Sequence, residues 1–421
     1  MKIRFPAVCA ALAAAVALTA CGTLPGSDGG DPEKVTLWLM KGSASEGFIT
    51  RFTETFEREH PGLDLEVKVQ EWTGIGERVN GVLKGTSTET ADVIEVGNTQ
   101  VAQYIETGGL SELTLEGLRD WGGKDWLKGL SDPGSVNGAQ YGIPWYAANR
   151  VVIYRKDLFE AAGVKDAPKT RQEWLAATQR LDKGAQQGIY LAGQNWYVLA
   201  GFIWDEGGDL AVEGGGAWSG TLDTDQALAG MAFYKQLHAL GEGPEDADEE
   251  TPPQAEVFAR GQVAQIIGPP GQVAQIEQHN PALKGKLGYF AIPGKTADRP
   301  GAVLTGGSDL IIPQKTGNRR AAIEVISALV SEKWQTELAR TMSYVPNKTT
   351  LAHVVQGNDG ATAMTLGAAQ GRATPKSARW ADVEAENPIK PYMTAVLNGQ
   401  DPRRAAKTAS DRISQVLSSD R

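Results

Sequence analysis

Cysteine is almost missing: among 421 residues there are two, Cys9 and Cys21, so any fold built after residue 21 has no internal disulfide. Histidine is scarce as well, and His60, His238, His279 and His353 show no HExxH or other ligand spacing, which leaves no zinc site. Basic residues (41) are outnumbered by acidic ones (51), for a formal net charge of −10. Nucleic-acid binding, which needs basic surface to replace counterions around phosphates, is therefore not expected. A mean hydropathy of −0.29 excludes a polytopic membrane protein, and 41% apolar residues argue against disorder. Catalytic signatures are missing too. The nearest approach to GxSxG, Gly306-Gly307-Ser308-Asp309-Leu310, lacks the final glycine. Gly294-Lys295-Thr296 resembles the end of a phosphate loop, but the earlier glycine falls at Tyr289 and Pro293 removes a backbone donor. Asp and Glu are plentiful enough for a glycosidase, but spacing in sequence cannot set two carboxylates across a sugar ring. No catalytic residue, metal or cofactor is assigned.

What is present begins at the N-terminus. Lys2 and Arg4 precede the apolar run Ala7 to Leu18, too short for a permanent span and flanked as a secretory signal is. The run ends in Leu18-Thr19-Ala20-Cys21-Gly22, which resembles the lipobox of bacterial lipoproteins. That resemblance implies cleavage after residue 20 and acylation of the Cys21 thiol, and cleavage takes the formal charge to −12. An ordinary signal peptide with an incidental cysteine is the alternative. Residues 21–33, rich in Gly, Pro and Asp, read as a flexible tether.

At about 150 residues per domain, the rest suggests two or three globular units. Val35-Thr36-Leu37-Trp38-Leu39 reads as a buried strand, and Phe48, Ile49, Phe52 and Phe56 lie at helical spacing until His60-Pro61-Gly62. Leu65–Val69 and Asp92–Val96 read as strands, as do 265–267, 287–292 and 309–312. Helices are expected at about 171–184, 224–240 and, as one long amphipathic element, 319–341. Alternating strands and helices argue for an α/β architecture with mainly parallel sheets. Residues 242–253 carry six carboxylates with Pro244, Pro252 and Pro253; the spacing is not that of an EF-hand, so a solvated acidic connection is expected.

Eleven tryptophans are many for this length. Sugars lay C–H faces on aromatic rings and hand their hydroxyls to planar polar groups, and ligands of α/β proteins sit beyond the carboxyl ends of strands. Gly193-Gln194-Asn195-Trp196-Tyr197 puts two amides and two aromatics together; Trp72, Asn98-Thr99-Gln100 and Trp380 lie in comparable places. For any one of these tryptophans, core packing competes with ligand stacking. Trp38 and Trp334 read as core, and Trp145 as either core or pocket.

The ordered series Val35–Trp38, Phe52–Gly62, Ala91–Glu95, Tyr141–Tyr146, Val152–Phe159, Gly306–Pro313 and Val345-Pro346-Asn347 resembles the bacterial extracellular solute-binding proteins of family 1, the sugar receptors of ABC importers. Gly97–Gln100, Tyr146–Arg150 and Gly193–Tyr197 resemble actinobacterial receptors for N-acetylglucosamine oligomers such as chitobiose. The resemblance implies an α/β, two-lobed periplasmic-binding-protein-like (type II) fold with three inter-lobe crossings. They are expected near 146–150, 290–294 and 343–347, so that 34–146 plus 294–343 form lobe 1 and 147–293 plus 344–421 form lobe 2. It also implies a ligand site of Lys41, Gly42, Ser43, Trp72, Asn98, Thr99, Tyr146, Asn149, Gln194, Trp196, Tyr197 and Trp380, with Trp196, Tyr197 and Trp380 giving most of the apolar contact. Many relatives carry a stacking Trp after Gly-Pro, where this chain has Gly268-Pro269-Pro270-Gly271.

The resulting expectation is a monomeric lipoprotein on the extracellular face of the cell membrane. It captures an oligosaccharide, chitobiose or a related sugar, and delivers it to membrane permease subunits with their cytoplasmic ATPase, without catalysis. A secreted carbohydrate-active enzyme and a sugar-sensing lipoprotein adaptor are the alternatives.

Overall fold

The computed structural model describes residues 32–72 and 74–418. The signal segment, Cys21 and all but the end of the tether lie outside the described residues.

The strand Glu33–Met40 is buried on both faces from Val35 onward, as a central strand must be. It belongs to a six-stranded sheet in the order 345–346, 143–148, 306–311, 93–97, 33–40, 63–70. Only the pairs of 33–40 with 63–70 and with 93–97 are parallel; 306–311 runs antiparallel to both its neighbours. A second sheet sets Val151–Arg155 between Gln265–Gly268 and Leu287–Phe290, both antiparallel to it. Mainly parallel sheets were expected, and the reason for the difference is the crossing chain. Strand 143–148 reaches the cleft at its carboxyl end, so a strand returning from the other lobe starts at the cleft and must run the opposite way.

Each sheet has its own core. In the first, Phe48, Phe52 and Phe56 of helix Glu46–Glu59 are buried, and Trp334 meets two of these rings edge-on at 5.4 and 5.0 Å. Ser45 caps this helix by accepting from the Phe48 amide. The single helix expected over 319–341 is two, Arg319–Leu329 and Glu332–Met342. Ser331 takes an extended conformation and caps the second by accepting from the Trp334 amide, which ends the first. In the second lobe, helix Trp196–Asp205 is apolar on all sides and buries eight of its ten residues among Trp174, Tyr234 and Trp380.

Packing also locates the chain's passages. Tyr146 and Val151 lie in different sheets. Ala302, Val303 and Leu304 pack in the second core, and Val303–Leu304 pairs with Gly371–Arg372, so the chain enters the first sheet at 304–306 rather than at 294. After Val345–Pro346 the chain stays on the first lobe, where Val355 packs with Ala339. Met364 of the following helix, Asp359–Ala368, joins Val151 and Ile153 of the second sheet, which moves the last passage from 343–347 to about 356–358. Both expected boundaries rested on landmark motifs, which mark strands entering or leaving a sheet and not where side chains pack.

Candidate functional site

The carboxyl ends of strands 33–40, 63–70 and 93–97 deliver three loops to one edge of the first sheet. Gly42 turns the first loop with φ +85°, a conformation glycine adopts without cost. Trp72 donates its indole N–H to the Lys41 carbonyl at 3.1 Å, and Lys41 Nζ pairs with Glu71 at 2.6 Å. The Trp72 ring lies 3.8 Å from where a Cβ on Gly97 would stand, and it is 44% exposed, the only tryptophan of the described residues so open.

Beneath this loop is a buried carboxylate. Glu95, fully buried, accepts from the Met40 amide at 2.7 Å and from the Tyr146 hydroxyl at 3.2 Å. That hydroxyl also lies 3.0 Å from Ser43 Oγ and accepts from Ser308 Oγ at 3.1 Å. Tyr344 stacks on the Tyr146 ring at 4.1 Å and donates to the Gly42 carbonyl at 3.1 Å. Glu95 thus ties the Gly42-Ser43 turn to the strand that leads into the other lobe.

Burial pushes the Glu95 carboxyl up to about 7, against the opposing pull of its hydrogen bonds. Its pKa is higher folded than unfolded, so ionisation costs the folded state. The stability is full below about pH 4.5 and falls as pH rises towards 7, by roughly 3 kcal/mol in all. Glu95→Gln, neutral throughout, should therefore gain stability relative to the parent between pH 4.5 and 8, as measured by denaturant unfolding across that range. Parallel stability curves would show that the carboxyl is not held in this way.

The second lobe supplies the opposing wall. Tyr197, half-buried in the first turn of its helix, has the Arg150 guanidinium over its ring at 4.2 Å and Trp196 against it at 4.2 Å. Burial first, then the nearby Glu384, pushes the Tyr197 hydroxyl up to about 12. Arg150 pairs with Glu249, which is buried, and Asp248 pairs with Lys390 at 2.7 Å. The acidic connection expected to be solvated is partly fastened down by these cations. Trp380 donates to Glu384 Oε1 at 2.9 Å, and the hydroxyl of Thr99, from the first lobe, donates to Glu384 Oε2 at 3.3 Å.

The twelve residues expected in the site fall into distinct groups. Lys41, Gly42, Ser43, Trp72 and Tyr146 share one edge of the first lobe, and Thr99 meets the second lobe at Glu384. Asn98 spends its amide on the Gly129 and Thr305 carbonyls, at 3.2 and 3.1 Å, and so brackets two backbone segments. Asn149 is buried and reaches the Arg150 carbonyl at 3.4 Å, while Gln194 turns to Thr394 at 3.0 Å. Trp196 (3% exposed) and Trp380 (1%) lie in the second core and do not open onto the cleft. The reason is local: the helix that Trp196 begins is apolar on every side, and the Trp380 indole N–H is satisfied one turn on, which lets the ring bury. Of these rings Trp72 is left open, and Tyr197 is half-buried beneath Arg150 and Trp196.

Residues 41–336 match the family described as bacterial extracellular solute-binding protein. The chain belongs to that family. It is 36% identical over 411 residues to the diacetylchitobiose binding protein DasA of Streptomyces coelicolor, a match covering 96% of each chain. The fold is that of solved sugar receptors. The sugar-binding protein MalE of Xanthomonas citri superposes with a TM-score of 0.80 at 21% identity, covering 91% of this chain and 97% of that one. The GacH receptor of Streptomyces glaucescens, known unliganded and with acarbose, gives 0.76 at 23% identity, covering 93% and 100%.

Within this solute-binding protein, four residues of the cleft region were not singled out by sequence reasoning: Glu95, Arg150, Tyr344 and Glu384. Two carried a signal. Glu95 is a charge in the middle of the apolar strand Val93-Ile94-Glu95-Val96, and Glu384 stands one helical turn after Trp380. Tyr344 adjoins the Val345-Pro346-Asn347 landmark, and Arg150 gains its meaning from Glu249, 99 residues away, and from Tyr197.

Proposed function

We propose that the protein is the sugar-capturing component of an ABC importer, taking up N-acetylglucosamine oligomers of the diacetylchitobiose kind and passing them to the permease unaltered. The observation that carries this reading is the 36% identity to a diacetylchitobiose binding protein along nearly the whole of both chains. The cleft chemistry supports a sugar: an exposed indole fixed over Gly97 on one side, and an aromatic ring beside a carboxylate on the other. Each lobe alone would leave half of the sugar's hydroxyls to water, so binding favours the arrangement in which both walls touch it. Pro270 stands where many relatives have a stacking Trp, so the cleft relies on fewer rings.

On this reading the mature chain begins at acylated Cys21, is held at the extracellular face of the cell membrane by two or more acyl chains, and works as a monomer. A thermal-shift panel of mono-, di- and trisaccharides tests the reading, since a ligand that binds only the folded state raises its melting temperature. Diacetylchitobiose at 100 times its dissociation constant should stabilise by about 2.7 kcal/mol, and maltose should not. A panel in which no N-acetylated sugar shifts the transition would end the assignment.

A further inference from the structure

We infer that Glu384 is a hydrogen-bond acceptor of the second lobe for the bound sugar, taking one of its O–H or N–H donors, and that the Thr99–Glu384 contact occupies this acceptor until sugar replaces it. The inference rests on the sugar-capture reading above and assigns that site a residue of its own.

The argument is one of unused hydrogen-bonding capacity. A carboxylate offers about four acceptor positions. Glu384 uses one on the Trp380 indole and one on the Thr99 hydroxyl, at 2.9 and 3.3 Å. The first is permanent, within a single helix whose Trp380 and Val383 are locked in the second core. The second is long, and it joins side chains from opposite lobes. Thr99 lies in the turn that follows strand 93–97, beside the segment that Trp72 covers. Separating the lobes breaks this bond.

Of the other polar groups nearby most are engaged, and the unpartnered Asn149 Oδ1 is buried. Glu95 lies wholly beneath the surface and is engaged by Met40 and Tyr146. The Asn98 amide nitrogen donates to two backbone carbonyls and the Gln194 amide nitrogen to the Thr394 hydroxyl, which fixes both side chains. Glu384, by contrast, is half-buried, and it stands close enough to Tyr197 to raise that hydroxyl. A carboxylate with acceptor positions to spare in a desolvated wall is what a sugar O–H or amide N–H needs in exchange for its bond to water. Burial pushes the Glu384 carboxyl up to about 7, as it does for a group short of donors.

The test is calorimetric titration of the full mature chain and of Glu384→Gln with diacetylchitobiose, with thermal melts as the check on folding. Glu384→Gln should bind at least tenfold more weakly, the loss expected for a hydrogen bond to a charged group. A crystal structure of the parent with the same sugar should show a sugar O–H or N–H within hydrogen-bond distance of Glu384, whatever the variant's stability. Parental affinity in a folded Glu384→Gln, or a complex in which Thr99 still holds Glu384 and no sugar atom reaches it, overturns the assignment and leaves sugar capture standing. A parent that binds none of the N-acetylated sugars removes the reading beneath it.

Discussion

Trp380→Ala should melt on the order of 10 °C below the parent, making it the most destabilising of the aromatic replacements around the cleft. The indole is 1% exposed, packs in the second core and donates its N–H to Glu384. Truncating a buried Trp to Ala costs about 3–5 kcal/mol, because the apolar transfer energy and the cavity left behind add together. For a unit of roughly 200 residues each kcal/mol moves the transition by about 2–4 °C. The variant also strips Glu384 of its permanent donor, so sugar binding should weaken in whatever fraction remains folded. Differential scanning calorimetry decides it. A melt within about 2 °C of the parent, combined with lost affinity, would make Trp380 a surface platform and not a core residue.

Trp72→Ala should do the reverse, weakening sugar binding by about 30-fold while the melting temperature stays close to the parent's. Removal of an aromatic anchor at a binding site costs about 2 kcal/mol, which is that factor in affinity. Trp72 suits the role because its ring is open and yet fixed, by its bond to the Lys41 carbonyl and by contact over Gly97. A fixed ring gives up little side-chain entropy when the ligand arrives. Little apolar area is buried around it, so little stability goes with it. Isothermal titration of this variant next to a melt separates the two effects, and an unchanged affinity would remove Trp72 from the site.

The contrast between these two tryptophans marks how far the sequence could be read. Both stand in segments with turn-like flanks, and nothing within a few residues of either says which way the ring will face. Trp72 follows an edge strand and stays out; Trp380 begins a short helix whose Val383 also points inward, and goes in. Periodicity was a sound guide where one element decides the matter. Phe48, Phe52 and Phe56 form the buried face of one helix, and Trp38 and Trp334 lie in cores as their patterns imply. It was a poor guide where two distant segments decide. The antiparallel return of 306–311, the split at Ser331, the seating of Glu249 on Arg150 and the meeting of Thr99 with Glu384 all depend on what the other part of the chain brings. The Lys41-Gly42-Ser43 turn was legible through family resemblance, but the Glu95 carboxylate that holds it was visible only as an odd charge in an apolar strand.

The central claim, capture of an N-acetylated sugar without chemistry, is tested most directly by titrating the mature chain with diacetylchitobiose in a calorimeter and analysing the recovered sugar by chromatography. One disaccharide should bind per chain, and the sugar should be recovered intact. Titration without saturable heat, or release of N-acetylglucosamine from the disaccharide, would contradict the account.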